Sequence, residues 1–321
     1  MTYWLFAAVI TLSCFALVAT LTSVVLAAAG PAVARRLERY APESRASLLF
    51  HLRVLPGACA AVCAFGIALP IFLRYEPADA EETLARTLLV TAMAGGALLA
   101  RGAFRAVGAL RATAAVMRDW QARGRRLWTV DAPIPVFAIE ESFPTVAVVG
   151  FSRPALFIAE RVLRECSPDE VRAMVLHECA HVTHRDNLKR FFIRACPDVL
   201  RRGSALDRAW TSASEEAADA RAAGGDPGSA LELAQALIHV ARLAPGRSTL
   251  EVASAFYLGG SIESRIRRLI DPAGNLPHPP RPLSRTIVCT MSLAALGLAG
   301  LIASAAPAIH QFMETVVRVL P

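Results

Sequence analysis

The sequence predicts a multi-pass membrane protein, mainly α-helical, that carries one cytosolic α+β domain. Three observations lead there. The 321 residues are 55% hydrophobic with a mean hydropathy of +0.43, too apolar for an ordinary soluble protein, yet 19% are charged, too many for a pure membrane bundle. Long apolar runs lie on both sides of a charged middle. In that middle His177-Glu178-Cys179-Ala180-His181 spells H-E-x-x-H, which on a helix sets two imidazoles one turn apart on one face.

Taken in order, residues 1–34 hold no charge, and Tyr3 to Ala29 is long enough to span a bilayer. Leu26-Ala27-Ala28-Ala29-Gly30 has the small residues of a signal-peptide cleavage site. The basic n-region is missing and the apolar stretch is too long, so a retained anchor is expected. A loop over 30–53, rich in arginine, leads to a second run, Val54 to Leu73. An acidic loop over 74–86 leads to a third and shorter run, Thr87 to Ala100, whose Gly95-Gly96 suits close packing against a neighbouring span. Residues 1–100 thus read as three transmembrane helices. Residues 101–133 read as a basic juxtamembrane helix, since 101–126 hold seven arginines against Asp119 alone, nearly the whole formal excess of +7. A positive-inside segment beside anionic membrane lipid accounts for that charge. No fold signature or interleaved aromatics support direct nucleic-acid binding. Loops 30–53 and 101–126 are then cytosolic, the 74–86 loop and the N-terminus lie outside, and the charged middle of the chain is cytosolic.

Residues 134–272 form the expected soluble domain. Pro135 to Ile139, Thr145 to Val149 and Ala155 to Ala159 read as short strands between turn residues. Thr145 to Val149 is the candidate edge, where an extended peptide can pair; the alternative is that these residues are simply core. Ser167-Pro168-Asp169-Glu170 is a capping box with proline at the first helical position, so a helix starts there and runs through the motif. His177 and His181 are then metal ligands of a zinc type, with Glu178 beside the ion to take a proton from the attacking water. Cys179 faces away from both histidines and reads as packing. Residues 197–213 read as polar and irregular. Downstream, Glu215 and Asp219 stand four apart on a second helix: one carboxylate can ligate while the other orients a histidine, although an acidic solvated face is the commoner fate of such residues. His184 is either an outer partner of the site or exposed polar filler. Arg221, His239 and Tyr257 are the candidates for stabilising an oxyanion.

His177-Glu178-Cys179-Ala180-His181-Val182-Thr183-His184-Arg185-Asp186-Asn187-Leu188 resembles the H-E-L-x-H-x-x-x-R-D-x-L signature of the BlaR/MecR-type antirepressor membrane zinc metallopeptidases, a gluzincin family. Phe151-Ser152-Arg153-Pro154, Glu215-x-x-x-Asp219 and Ile262-Glu263-Ser264-Arg265-Ile266-Arg267-Arg268-Leu269 extend the likeness across about 130–272. The resemblance implies a zincin-like metallopeptidase domain, with Zn2+ on His177, His181 and Glu215, Glu178 as general base and Asp219 behind the ligands. It also implies a protein substrate such as a cytosolic repressor. HtpX-like and CAAX-protease-like membrane peptidases share most of these motifs.

After 272 the sequence reads as a proline-rich linker over 273–285, a fourth transmembrane helix over 286–306 and a short amphipathic tail over 307–321. The penicillin-binding sensor domain of the β-lactam sensors is not expected here. Seven cysteines without framework spacing fit reduced thiols. The charges flanking the motif exclude a lipid-exposed span, so the metal site belongs near the cytosolic membrane face. Three functions follow: regulatory cleavage of a repressor, quality-control or processing proteolysis, and a zinc-stabilised scaffold that cleaves nothing. A general base at Glu178 argues against the last.

Overall fold

The computed structural model describes residues 2–76, 86–128, 130–141, 143–200, 204–243 and 262–271, together with residues 311 and 315. The expected linker and fourth transmembrane helix lie outside these residues, as do the amphipathic tail apart from residues 311 and 315 and most of the acidic loop.

The described chain is mostly helical, with one small sheet. Three helical stretches are long and apolar enough to cross a membrane: α1 (Thr2–Leu37), the stretch Pro42–Tyr75, and α4 (Arg86–Arg123). The second consists of α2 (Pro42–Ala61), a π-helical segment (Val62–Ala68) and α3 (Leu69–Tyr75). Large apolar side chains on these helices face outward: Leu21 is 67% exposed and Phe104 81%. Such surface is consistent with membrane association.

Two expectations change at this level. The 30–53 loop is mostly helix, because α1 runs on through Arg35 and Arg36 and Pro42 opens α2 at its first turn. The expected third span and juxtamembrane helix are one 38-residue helix, since nothing between Ala100 and Arg123 breaks it. Where these helices cross, their polar groups are satisfied locally. Thr11 and Thr22 donate to carbonyls in the preceding turn of α1, and Ser13 donates to Leu88 O across the contact with α4. Gly95 permits the closest approach: a Cβ there would lie 2.1 Å from Leu12 O.

The sheet has four strands in the order β1-β2-β4-β3. The sequence reading missed β1 (Arg125–Leu127), whose basic residues hide its strand character; it pairs antiparallel with β2 (Val136–Ile139). β4 (Ala155–Ala159) lies parallel to β2 and is buried throughout. β3 (Val146–Val149) pairs antiparallel with β4 and forms the outer edge, as expected for Thr145 to Val149. Short α5 (Glu160–Glu165) leads into α6 (Pro168–Thr183), which starts at the expected capping box. α7 (Asp186–Ala195) follows a left-handed turn at Arg185, φ 56°. α8 (Ala205–Ala223) begins earlier than expected, because Ser204 and Asp207 form a second capping box inside the stretch read as irregular. α9 (Pro227–Leu243) and α10 (Ile262–Ile270) complete the described elements.

The long apolar helices and the helices beyond the sheet share a core: Leu26, Ala46 and Leu49 pack with Leu206, Trp210 and Ala213. Buried charge reinforces the same seam. Arg53 on α2, 2% exposed, pairs with Asp198 and Asp207, while Arg45 pairs with Glu216 on α8. Removing one partner of such a group strands the other. Arg53→Ala is therefore expected to cost about 3–5 kcal/mol, measured by denaturant unfolding in detergent. A loss under about 1 kcal/mol would mean that the seam carries no buried charge.

Candidate metal centre

α6 brings the two histidines together because its capping box sets the register and its apolar side is buried against the sheet and α9. His177 and His181 share one face of the helix, with Nε2 atoms 3.2 Å apart. α8 delivers Glu215: Oε2 lies 3.5 Å from His177 Nε2, and Oε1 lies 3.7 Å from His181 Nε2. The three residues offer ligand atoms all within 4.8 Å of one another. Zinc bonds of about 2.0–2.1 Å to nitrogen and oxygen set tetrahedral ligands about 3.3 Å apart, so this trio has the spacing of a metal-binding set.

Each imidazole has a carboxylate behind it. Asp219 Oδ1 lies 3.0 Å from His177 Nδ1. Asp186 Oδ2 lies 2.8 Å from His181 Nδ1 and also accepts from Ser214 Oγ at 2.7 Å. A carboxylate at Nδ1 draws the ring proton to that side and leaves the Nε2 lone pair facing the site. Asp219 thus occupies the outer position expected for it. Asp186 belongs to the motif, but its role is not visible in the sequence, because its partner, five residues back, is fixed only by the left-handed turn at Arg185.

The sequence reading also missed Arg265. It lies on α10, 2% exposed, and grips Asp219 with two hydrogen bonds of 2.8 and 2.6 Å; Nη1 lies 3.1 Å from Glu215 Oε2. The stretch reads as a short basic helix, and nothing local marks one of its three arginines as the buried one. Of the other candidates, His239 lies apart from the trio, paired with Glu170, because its position on α9 faces the start of α6. Arg221 is exposed at the far end of α8, and Tyr257 is outside the described residues. His184 caps α6 and lies 3.3 Å from Glu43 at the start of α2, so it joins the helix seam rather than the site. Cys179 packs against the core, as expected.

The trio, Glu178 and Arg265 open into a cleft of about 510 Å³ lined also by β3, by Thr113, Val116 and Trp120 of α4, and by α9. Glu178 Oε2 accepts a hydrogen bond from Val148 N on the edge strand at 3.1 Å, and Asn187 Nδ2 donates to Val148 O at 3.0 Å. The cleft therefore holds a carboxylate, three side chains that could hold a metal ion and a sheet edge side by side.

The electrostatics favour a cation. Burial disfavours the charged form of His177, but Asp219 and Glu215 outweigh it and raise its pKa to about 9. Burial also works against the Glu215 carboxylate, which His181, His177 and Arg265 nevertheless hold far below the usual range. Asp219, likewise opposed by burial, is lowered to about 2 by Arg265 and His177. Three buried carboxylates, Glu215, Asp219 and Asp186, face two fixed cations, Arg265 and Lys189. A proton on His177, or a divalent ion in its place, offsets part of the negative charge of these carboxylates.

The chain matches no family model, and no characterised protein or solved structure is significantly similar to it.

Two outcomes follow from this geometry. Because the folded pKa of His177 is raised, its proton adds stability to the metal-free chain below pH 6.5, and that stability is lost as pH rises through 9. The same proton competes with metal, so apparent affinity is expected to rise about tenfold per pH unit from pH 7 toward 9 and then level. Calorimetric titration across pH measures this, and a flat profile would contradict it. Asp186→Asn is expected to weaken metal binding about 10–100-fold, which competition with a chromophoric chelator would read.

Proposed function

We propose that this chain is a membrane-anchored zinc endopeptidase working at the cytosolic membrane face, in regulated cleavage of a transcriptional repressor or a similar signalling protein. One observation carries the reading: His177, His181 and Glu215 converge beside Glu178, in the same cleft as the edge strand β3. The likeness of the 177–188 stretch to the antirepressor peptidase signature points the same way. The arginine-rich segments on either side of the acidic loop support a cytosolic site.

Zinc held by the trio would polarise a peptide carbonyl and bring the pKa of water toward neutrality. The chain's own groups do the rest. Glu178 takes the proton of the attacking water and passes it to the leaving amine. Asp219 and Asp186 keep both imidazoles in the ligating tautomer. Arg265 holds Asp219 and Glu215 in register. A peptide adding to β3 as an extended strand takes over Val148 N–H, which releases Glu178 for proton transfer.

A second reading, a processing or quality-control peptidase for membrane proteins, draws on a different observation. α4 lines the cleft with Thr113, Val116 and Trp120, so the substrate path runs beside a helix apolar enough to cross a bilayer.

Glu178→Gln is expected to keep metal while lowering cleavage by about 10²-fold or more. Mass spectrometry of new protein termini in cells with each form reads the substrates as well as the activity. One repressor accumulating uncut supports the regulatory reading, and many membrane proteins accumulating supports the second. Undiminished cleavage by Glu178→Gln would overturn the peptidase mechanism.

A further inference from the structure

A second set of metal-ligating side chains lies at the start of α6, outside the cleft. Cys166, Glu170 and His239 offer a sulfur, a carboxylate oxygen and a ring nitrogen all within 4.8 Å of one another. Cys166 ends α5, Glu170 is the third residue of α6, and His239 comes from α9. His239 Nδ1 lies 3.2 Å from both Glu170 oxygens. That is already about the 3.3 Å separation of two tetrahedral zinc ligands. The carboxylate is held in place, because Oε2 accepts from Ser167 N at 2.7 Å in the capping box, while Oε1 faces His239 Nδ1. Cys166 is 8% exposed, while the His239 side chain is 34% exposed, so the set is buried on one side and open to water on the other.

We propose that Cys166, Glu170 and His239 form a second binding site for a zinc-class divalent ion, with water completing the coordination. One thiolate, one imidazole and one carboxylate suit a borderline ion and exclude magnesium or calcium, which take oxygen ligands. Burial, with Glu170 and Glu165 adding to it, raises the Cys166 thiol to about 11. The thiol is therefore neutral and inert as a nucleophile at pH 7, which disfavours a cysteine–histidine catalytic pair. A bound dication ionises it and releases its proton. Glu170 and His177 are seven residues apart on α6, about 10 Å along the axis, so the two sites are separate. An ion here joins α9 to the start of α6. Leu233, Ala236, Leu237 and Val240 of α9 line the cleft, and their distance from the histidines is then held by the second ion.

Cobalt(II) tests this directly, since the trio in the cleft contains no sulfur. The full chain, stripped with chelator in detergent, is titrated with Co2+ and followed by absorbance. Wild type is expected to show a near-ultraviolet thiolate-to-cobalt band and to bind two equivalents. Cys166→Ser and His239→Gln, two variants with different folding risks, are each expected to bind one equivalent fewer than wild type. Cys166→Ser also loses the band. His181→Ala is expected to keep the band while losing the other equivalent, so a failure of the cleft site is told apart from a failure of this one. Absence of the band in wild type, or its persistence in Cys166→Ser, would overturn the proposal.

Discussion

Buried negative charge is the constraint on which the centre of this molecule depends. Glu215, Asp219 and Asp186 are each less than a tenth exposed, within one short stretch of space. Carboxylates in that setting persist only if cations meet them. The fold answers from several elements at once: α6 supplies two imidazoles, α7 supplies Lys189, and α10 supplies Arg265. The helices around the cleft therefore cannot drift apart without stranding a charge. The same requirement makes the site receptive to a metal, because neutral histidines bring no charge to offset the carboxylates.

The charge network does not stop at the cleft. Glu216, next in sequence to Glu215, turns the other way and pairs with Arg45 on α2 and Arg268 on α10. His184, at the end of α6, meets Glu43 at the start of α2. Arg53 carries the seam further, to Asp198 and Asp207. The helix bearing the candidate ligand is thus fastened to a helix apolar enough to cross a membrane. A shift of α2 along its axis would disturb the Arg45–Glu216 pair, one residue from Glu215.

Much of this was legible in the sequence, for definite reasons. The capping box at Ser167 and the i, i+4 spacing of the histidines are local, so α6 and its ligands could be placed without knowing the fold. Glu215 and Asp219 could be paired by the same spacing, but which of them faced the histidines was carried by the resemblance. Gly95 marked a close helix crossing because only a missing Cβ allows one. The strand β1 was missed because three residues with two arginines have no alternation to read. Arg265 and Asp186 were missed as working residues because their partners lie on other elements or across a turn. Burial of a charge is a tertiary fact, and periodicity does not report it.

The proposed chemistry requires a metal ion among His177, His181 and Glu215, with Glu178 beside it. Diffraction data collected above and below the zinc absorption edge from crystals of the zinc-loaded chain test it most directly. An anomalous peak is expected about 2 Å from both Nε2 atoms and from a Glu215 oxygen, with Asp219 and Asp186 still at the far side of each ring. A cleft without a peak, or a peak held by other residues, would contradict it.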